Sequence, residues 1–155
     1  MWAAERSVNT LAKRGEALLV VMPPERSGEL LANLDRQRHS VATWLKRGRL
    51  TVTEGMDSPR EMIQYLGEFA TRTHKFRVAG DMTWTVRKGW DLAALSVLEQ
   101  SPILMPPVEN GLLLCQYSLE YFSGEYIMMA SELHRHTIYK GRMEKSPYYA
   151  QESGE

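Results

Sequence analysis

One cysteine, Cys115, is present in 155 residues. No intramolecular disulfide can form, and a reducing compartment is the expectation that follows. Excess charge of either sign is missing too, since 19 Lys and Arg face 19 Asp and Glu. A sequence-independent grip on nucleic acid needs a basic surface, so this balance argues against that function class. No apolar run approaches the ~20 residues of a membrane span. The opening MWAAERSVNT lacks the apolar core of a secretory signal, and a cytoplasmic location is expected.

The most telling lack is catalytic. The loop after the first strand reads Met22-Pro23-Pro24-Glu25-Arg26-Ser27-Gly28-Glu29. A phosphate-binding loop would stand here in a nucleotide-binding α/β domain. It needs glycines whose amides cradle phosphate and a lysine that neutralises it. This loop has one glycine, two prolines without N–H donors, and an acid after the glycine. An ordinary strand-to-helix turn is expected, without ATP hydrolysis.

What remains is ordinary globular material, 43% hydrophobic and 25% charged. A chain of this length forms one domain and buries roughly 70% of its unfolded surface. Residues 2–14 read as an amphipathic helix with Trp2, Val8 and Leu11 on one side, stopped by Gly15. Ala17–Met22 is a continuous apolar run suited to a strand buried on both faces. Residues 25–36 are predicted helical, with Leu30, Leu31 and Leu34 on one face, and Val41–Lys46 forms a second short helix. Leu50–Thr53 is a β-branched strand. Ser58-Pro59-Arg60-Glu61 opens the next helix: Ser58 caps, Pro59 takes the first helical position, and Glu61 sits three residues after the cap. Met62, Ile63, Leu66 and Phe69 form its apolar stripe. Further strands are expected at Phe76–Ala79, Gly111–Gln116 and, more weakly, Thr137–Tyr139, with helices over 89–100 and 124–134. Strands alternating with helices predict a single-domain α/β fold with a mostly parallel sheet of about five strands. Residues 1–150 form that domain and 151–155 a frayed tail.

In a parallel sheet, ligands gather at the carboxyl ends of the strands. Asp81 follows one strand; it can contact a ligand or serve as a turn or cap residue. Trp84 and Trp90 flank the next loop, where they are either core or pocket wall. Cys115 reads as a small buried hydrophobe on a strand covered on both faces, not as a nucleophile. His134 and His136 are two apart, so they do not share a helix face and do not form an i, i+4 metal pair. The tail Pro147-Tyr148-Tyr149 either folds back on the sheet or caps a pocket. No catalytic residue, metal or cofactor is expected.

Four patches together resemble one family. Leu11-Ala12-Lys13-Arg14-Gly15-Glu16-Ala17 is similar to a "GL-x-x-GE" entry from helix to strand. Arg77-Val78-Ala79-Gly80-Asp81-Met82-Thr83-Trp84 is similar to "R-x-x-G-E-M-S-W", with Asp81 for the usual glutamate. Leu114-Cys115-Gln116-Tyr117 resembles an "L-C-x-Y" strand end. His134, Gly141-Arg142 and Ser146-Pro147-Tyr148-Tyr149 resemble a closing "H…G…N-P-Y-Y", with Ser146 for asparagine. The family is the MEDS domain, the methanogen/methylotroph sensory domain named for the DcmR regulator. The resemblance spans residues 11–149.

The resemblance implies a fold related to the RecA and KaiC ATPases with a degenerate nucleotide loop. It implies sensing of small molecules such as hydrocarbon derivatives, beside histidine kinase, anti-sigma or DNA-binding modules. The family usually carries a further segment with a histidine and a tyrosine before the first helix, of which this chain is expected to hold only part. The expected function is a non-catalytic sensory domain that binds a small organic ligand and signals to a partner protein. The expected ligand-binding residues are Asp81, Met82, Trp84, Gln116, Tyr117, His134 and Tyr148. The alternative is a protein-binding regulator, associated with a kinase or anti-sigma factor, with a vestigial pocket. An enzyme using Asp81, His134 or Cys115 is the third reading. No direct nucleic-acid or membrane partner is expected, and a homodimer is compatible with the sequence.

Overall fold

The apolar run at residues 17–22 builds the innermost strand, β1 (Ala17–Val21). The computed structural model describes residues 16–37, 41–73, 75–104 and 110–149. Leu18, Leu19 and Val20 are fully buried, because β1 has a strand on each edge and helices over both faces. β2 (Leu50–Thr53) and β3 (Phe76–Asp81) flank it in parallel, and β4 (Gly111–Gln116) pairs in parallel with β3. The order β2-β1-β3-β4 gives four parallel strands, so all their carboxyl ends share one edge.

Alternation along β1 divides the core in two. Leu18 and Val20 pack with Leu30 and Leu34 of α1 (Pro24–Arg36) and Val41 of α2 (Val41–Lys46). Leu19 and Val21 pack with Met62, Leu66 and Phe69 of α3 (Pro59–Arg72). After β3 come α4 (Thr83–Arg87) and α5 (Leu92–Glu99), the latter adding Leu95 and Leu98 to this second cluster. Full burial of one such side chain stabilises by roughly 1.5–3 kcal/mol. The predicted cap of α3 is present: the Ser58 hydroxyl accepts from Glu61 N at 3.3 Å, and the Glu61 carboxylate accepts from Ser58 N at 3.1 Å. A 3₁₀ turn (Pro102–Leu104) follows α5, and α6 (Gly124–Leu133) follows β4.

Several expectations need correction. The expected fifth strand does not join the main sheet. It forms β5 (His136–Tyr139), paired antiparallel with β6 (Arg142–Lys145) in a separate hairpin. The hairpin turns through Lys140 and Gly141, both at positive φ (47° and 77°), as a two-residue reversed-hand turn requires. The helix expected over 89–100 is shorter, and α4 precedes it unforeseen. β3 runs two residues further, to Asp81. β4 is not covered on both faces: among the described residues it is an edge strand, and Leu112 is 52% exposed. The predicted helix at 2–14, its stop at Gly15 and the tail 151–155 lie outside the described residues. Among the described residues, no helix is long and apolar enough to cross a membrane.

Candidate functional site

Asp81 ends β3 and Gln116 ends β4, and the two stand opposite each other in the ladder. Met82 N extends the pairing by donating to Gln116 O at 2.9 Å. The Asp81 carboxylate is buried and already engaged. Its Oδ1 accepts from Thr83 N (3.2 Å) and Thr83 Oγ1 (2.6 Å), which fixes the turn into α4. Its Oδ2 lies 3.1 Å from Nε of Arg26, in the first turn of α1. An ion pair thus links the start of α1 to the end of β3. Asp81 holds the turn into α4 and ties it to α1.

Two expected lining residues, Met82 and Trp84, are buried in the core. Trp84 meets Trp90 edge-on at 4.8 Å and backs onto Gly55, where an added Cβ would fall 2.2 Å from the ring. Gly55 also sits at φ +84°, a conformation that favours glycine. Tyr148, 56% exposed, lies beyond β6 on the surface.

A second group of polar side chains meets beyond the end of β4. Glu99, the last residue of α5, is only 3% exposed. Its Oε1 accepts a short hydrogen bond from the Tyr117 hydroxyl. Its Oε2 is enclosed without a hydrogen-bond donor, and His134 Nε2 approaches it to 3.4 Å as an ion-pair contact. His134 caps α6, and its Nδ1 lies 2.8 Å from Ala130 O. A carbonyl only accepts, so Nδ1 carries the proton and Nε2 is the nitrogen facing Glu99. Cys115, on the core-facing side of β4, completes the group: one ligand atom each from Glu99, Cys115 and His134 lie within 4.8 Å of one another.

Electrostatics follow burial here. Desolvation pushes the Cys115 thiol well above its usual pKa, and the neighbouring Glu99 adds to the rise. Desolvation likewise raises the Tyr117 phenol, again with help from Glu99. Both groups stay protonated at neutral pH. Because His134 Nδ1 is committed to a backbone carbonyl, the ring does not relay a proton between Cys115 and an acid as a nucleophilic triad does. Aromatic rings stand beside Tyr117: Phe122 lies 5.0 Å from it and 5.5 Å from Tyr126.

Of the seven expected residues, then, Tyr117 and His134 meet through Glu99, and Asp81 and Gln116 meet through the ladder. Met82 and Trp84 belong to the core, and Tyr148 stands apart. Glu99 was missed. Its signal lay in the helical period, which places Glu99 on the same face as Leu95, an acid on an apolar stripe. Arg26, inside the helix predicted over 25–36, carries no signal along the chain for its partner Asp81.

The sequence profile of the MEDS family (MEthanogen/methylotroph, DcmR Sensory domain) matches residues 3–135. The chain belongs to the MEDS family. No curated protein matches it significantly. The MEDS match extends further forward than the four patches and stops at Arg135. It takes in Asp81, Glu99, Cys115, Gln116, Tyr117 and His134, and leaves Gly141-Arg142 and Ser146–Tyr149 outside. A sensory or regulatory role follows from membership of the MEDS family.

Proposed function

We propose that this MEDS domain is non-catalytic, binds a small organic ligand beyond the carboxyl end of β4, and passes the signal to a partner protein. The observation that carries the reading is the Glu99–Tyr117–His134 group, with the Phe122 ring against Tyr117 and Tyr126 behind it. A few fixed polar groups within aromatic walls are the usual make-up of a site that orients a small ligand. The Arg26–Asp81 ion pair supports the non-catalytic part, because it spans the ground between the start of α1 and the end of β3. A nucleotide phosphate and its metal would need that ground in a RecA-like ATPase. α6 carries Tyr126 in its first turn and ends at His134, so a ligand gripped there biases the position of α6. Signalling needs such a differential affinity between two conformations.

A thermal-shift screen of small alcohols, thiols and organic acids tests the reading, with nucleotides as the contrasting class. A ligand of the native state raises the melting temperature by mass action. Tyr117→Phe and Gln116→Ala are expected to abolish the shift with the fold intact. A nucleotide that alone shifts the melting temperature, or a shift unaffected by both substitutions, overturns the reading.

A further inference from the structure

Glu99 is expensive where it stands. Its carboxylate is buried, it ends a helix whose dipole is negative at that terminus, and Oε2 has no hydrogen-bond donor. The groups around it make this worse. The Tyr117 hydroxyl satisfies Oε1 only. Oε2 faces His134 Nε2, whose partner nitrogen already holds a proton against Ala130 O, and the thiol of Cys115 stands in the same group. Three electron-pair donors converge, and the positive charge they hold without a metal is the proton of the Cys115 thiol, which a metal ion replaces.

We infer that Glu99, Cys115 and His134 form a binding site for a zinc-class divalent metal ion. The donor set, one thiolate, one imidazole and one carboxylate, is the set that borderline-soft Zn²⁺ takes. The charges close: the Cys115 thiol releases its proton to solvent as the metal binds, thiolate and carboxylate balance the dication, and the imidazole stays neutral, so the partly buried site carries no net charge. The surroundings are those of ligands held in place. His134 donates its far nitrogen to a carbonyl, and Tyr117 holds the carboxylate by its other oxygen. Such outer partners orient metal ligands in known sites. The three ligand atoms lie within 4.8 Å of one another. Bonds of about 2.0–2.3 Å need edges of about 3.3–3.8 Å in a tetrahedron, so small side-chain rotations close the site. Three protein ligands leave a fourth position for water or a donor atom from outside. The spacing of His134 and His136 in the sequence argued against a metal pair. The site uses only one of them and draws its other ligands from α5 and β4. The inference stands whether or not an organic ligand binds nearby.

The test is a titration of the chelator-treated full chain with Co²⁺, followed by Zn²⁺. One equivalent of Co²⁺ is expected to produce a thiolate-to-metal charge-transfer band in the near ultraviolet and intense visible bands of a tetrahedral site. Zn²⁺ should bleach both. Cys115 is the one cysteine of the chain, so a thiolate band can have no other origin. Cys115→Ser should remove that band, while Glu99→Gln and His134→Ala should each weaken Co²⁺ about tenfold or more. The wild-type titration decides the matter even where a variant folds poorly. Absence of the thiolate band, or affinity unchanged in both Glu99→Gln and His134→Ala, overturns the site and leaves a proton shared within the group as its occupant.

Discussion

Asp81 and Gly55 make the case at the scale of single residues. The Asp81 carboxylate serves Thr83 and Arg26 at once. Asp81→Ala leaves the buried Thr83 amide without its acceptor and removes one ion-pair partner of Arg26. It should cost about 2–3 kcal/mol, since bonds to charged groups lie at the upper end of the hydrogen-bond range. Urea unfolding monitored by tryptophan fluorescence measures this; a loss under about 0.5 kcal/mol, as for an ordinary surface change, shows that the carboxylate is dispensable to the fold. Gly55→Ala drives a methyl into the Trp84 ring and demands a left-handed conformation from alanine. Overpacking of this kind costs about 1–3 kcal/mol, read as a lower urea midpoint at unchanged m-value. Asp81 was visible in the sequence as a polar residue after a strand. Its role was open there, because both of its partners are fixed only when α1 and α4 are in place.

Among the elements, α3 was legible to the residue at its start. Ser58, Pro59 and Glu61 interact locally, and local geometry follows from order along the chain. Ser58→Ala should destabilise by about 1 kcal/mol and Glu61→Ala by less, in thermal or urea unfolding. The turn into α1 is equally local. Pro23 caps it without a side-chain bond and Pro24 enters its first turn, so it presents no glycine-rich amide cradle. Purified protein should show no ATP turnover above background; turnover that Glu29→Ala abolishes would contradict this reading of the loop. The hairpin was harder to foresee. Lys140 is not a residue that announces positive φ, and an Asn in its place would have flagged the turn. α4 was missed because it is only 5 residues long, too short a stretch for helical period to show.

For the molecule as a whole, the centre and the edge of the sheet are unequal on one and the same face. Leu18 is fully buried between β2 and β3, while Leu112 on β4 is largely exposed. Leu18→Ala should cost about 2–5 kcal/mol, and Leu112→Ser should stay within about 0.5 kcal/mol. Equal losses in urea unfolding would show that β4 is covered on that side in solution. Both leucines sit in short apolar runs bounded by polar residues, and such runs look alike in sequence. Which strand is central is decided by pairing partners that lie tens of residues away, so strand order cannot be read from any one run.

The amino-acid order alone determined the alternating elements, the box at Ser58, the lack of a phosphate loop and the MEDS resemblance. Each rests on neighbours within a few residues or on a pattern along the chain. Only the tertiary structure decided that Glu99, Cys115 and His134 meet, and that Met82 and Trp84 turn inward. Periodicity states which face of α5 is apolar, but not that this face meets the end of β4 and the C-terminus of α6. An acid on an apolar stripe gains its meaning from what stands across from it, and that is set by packing between elements.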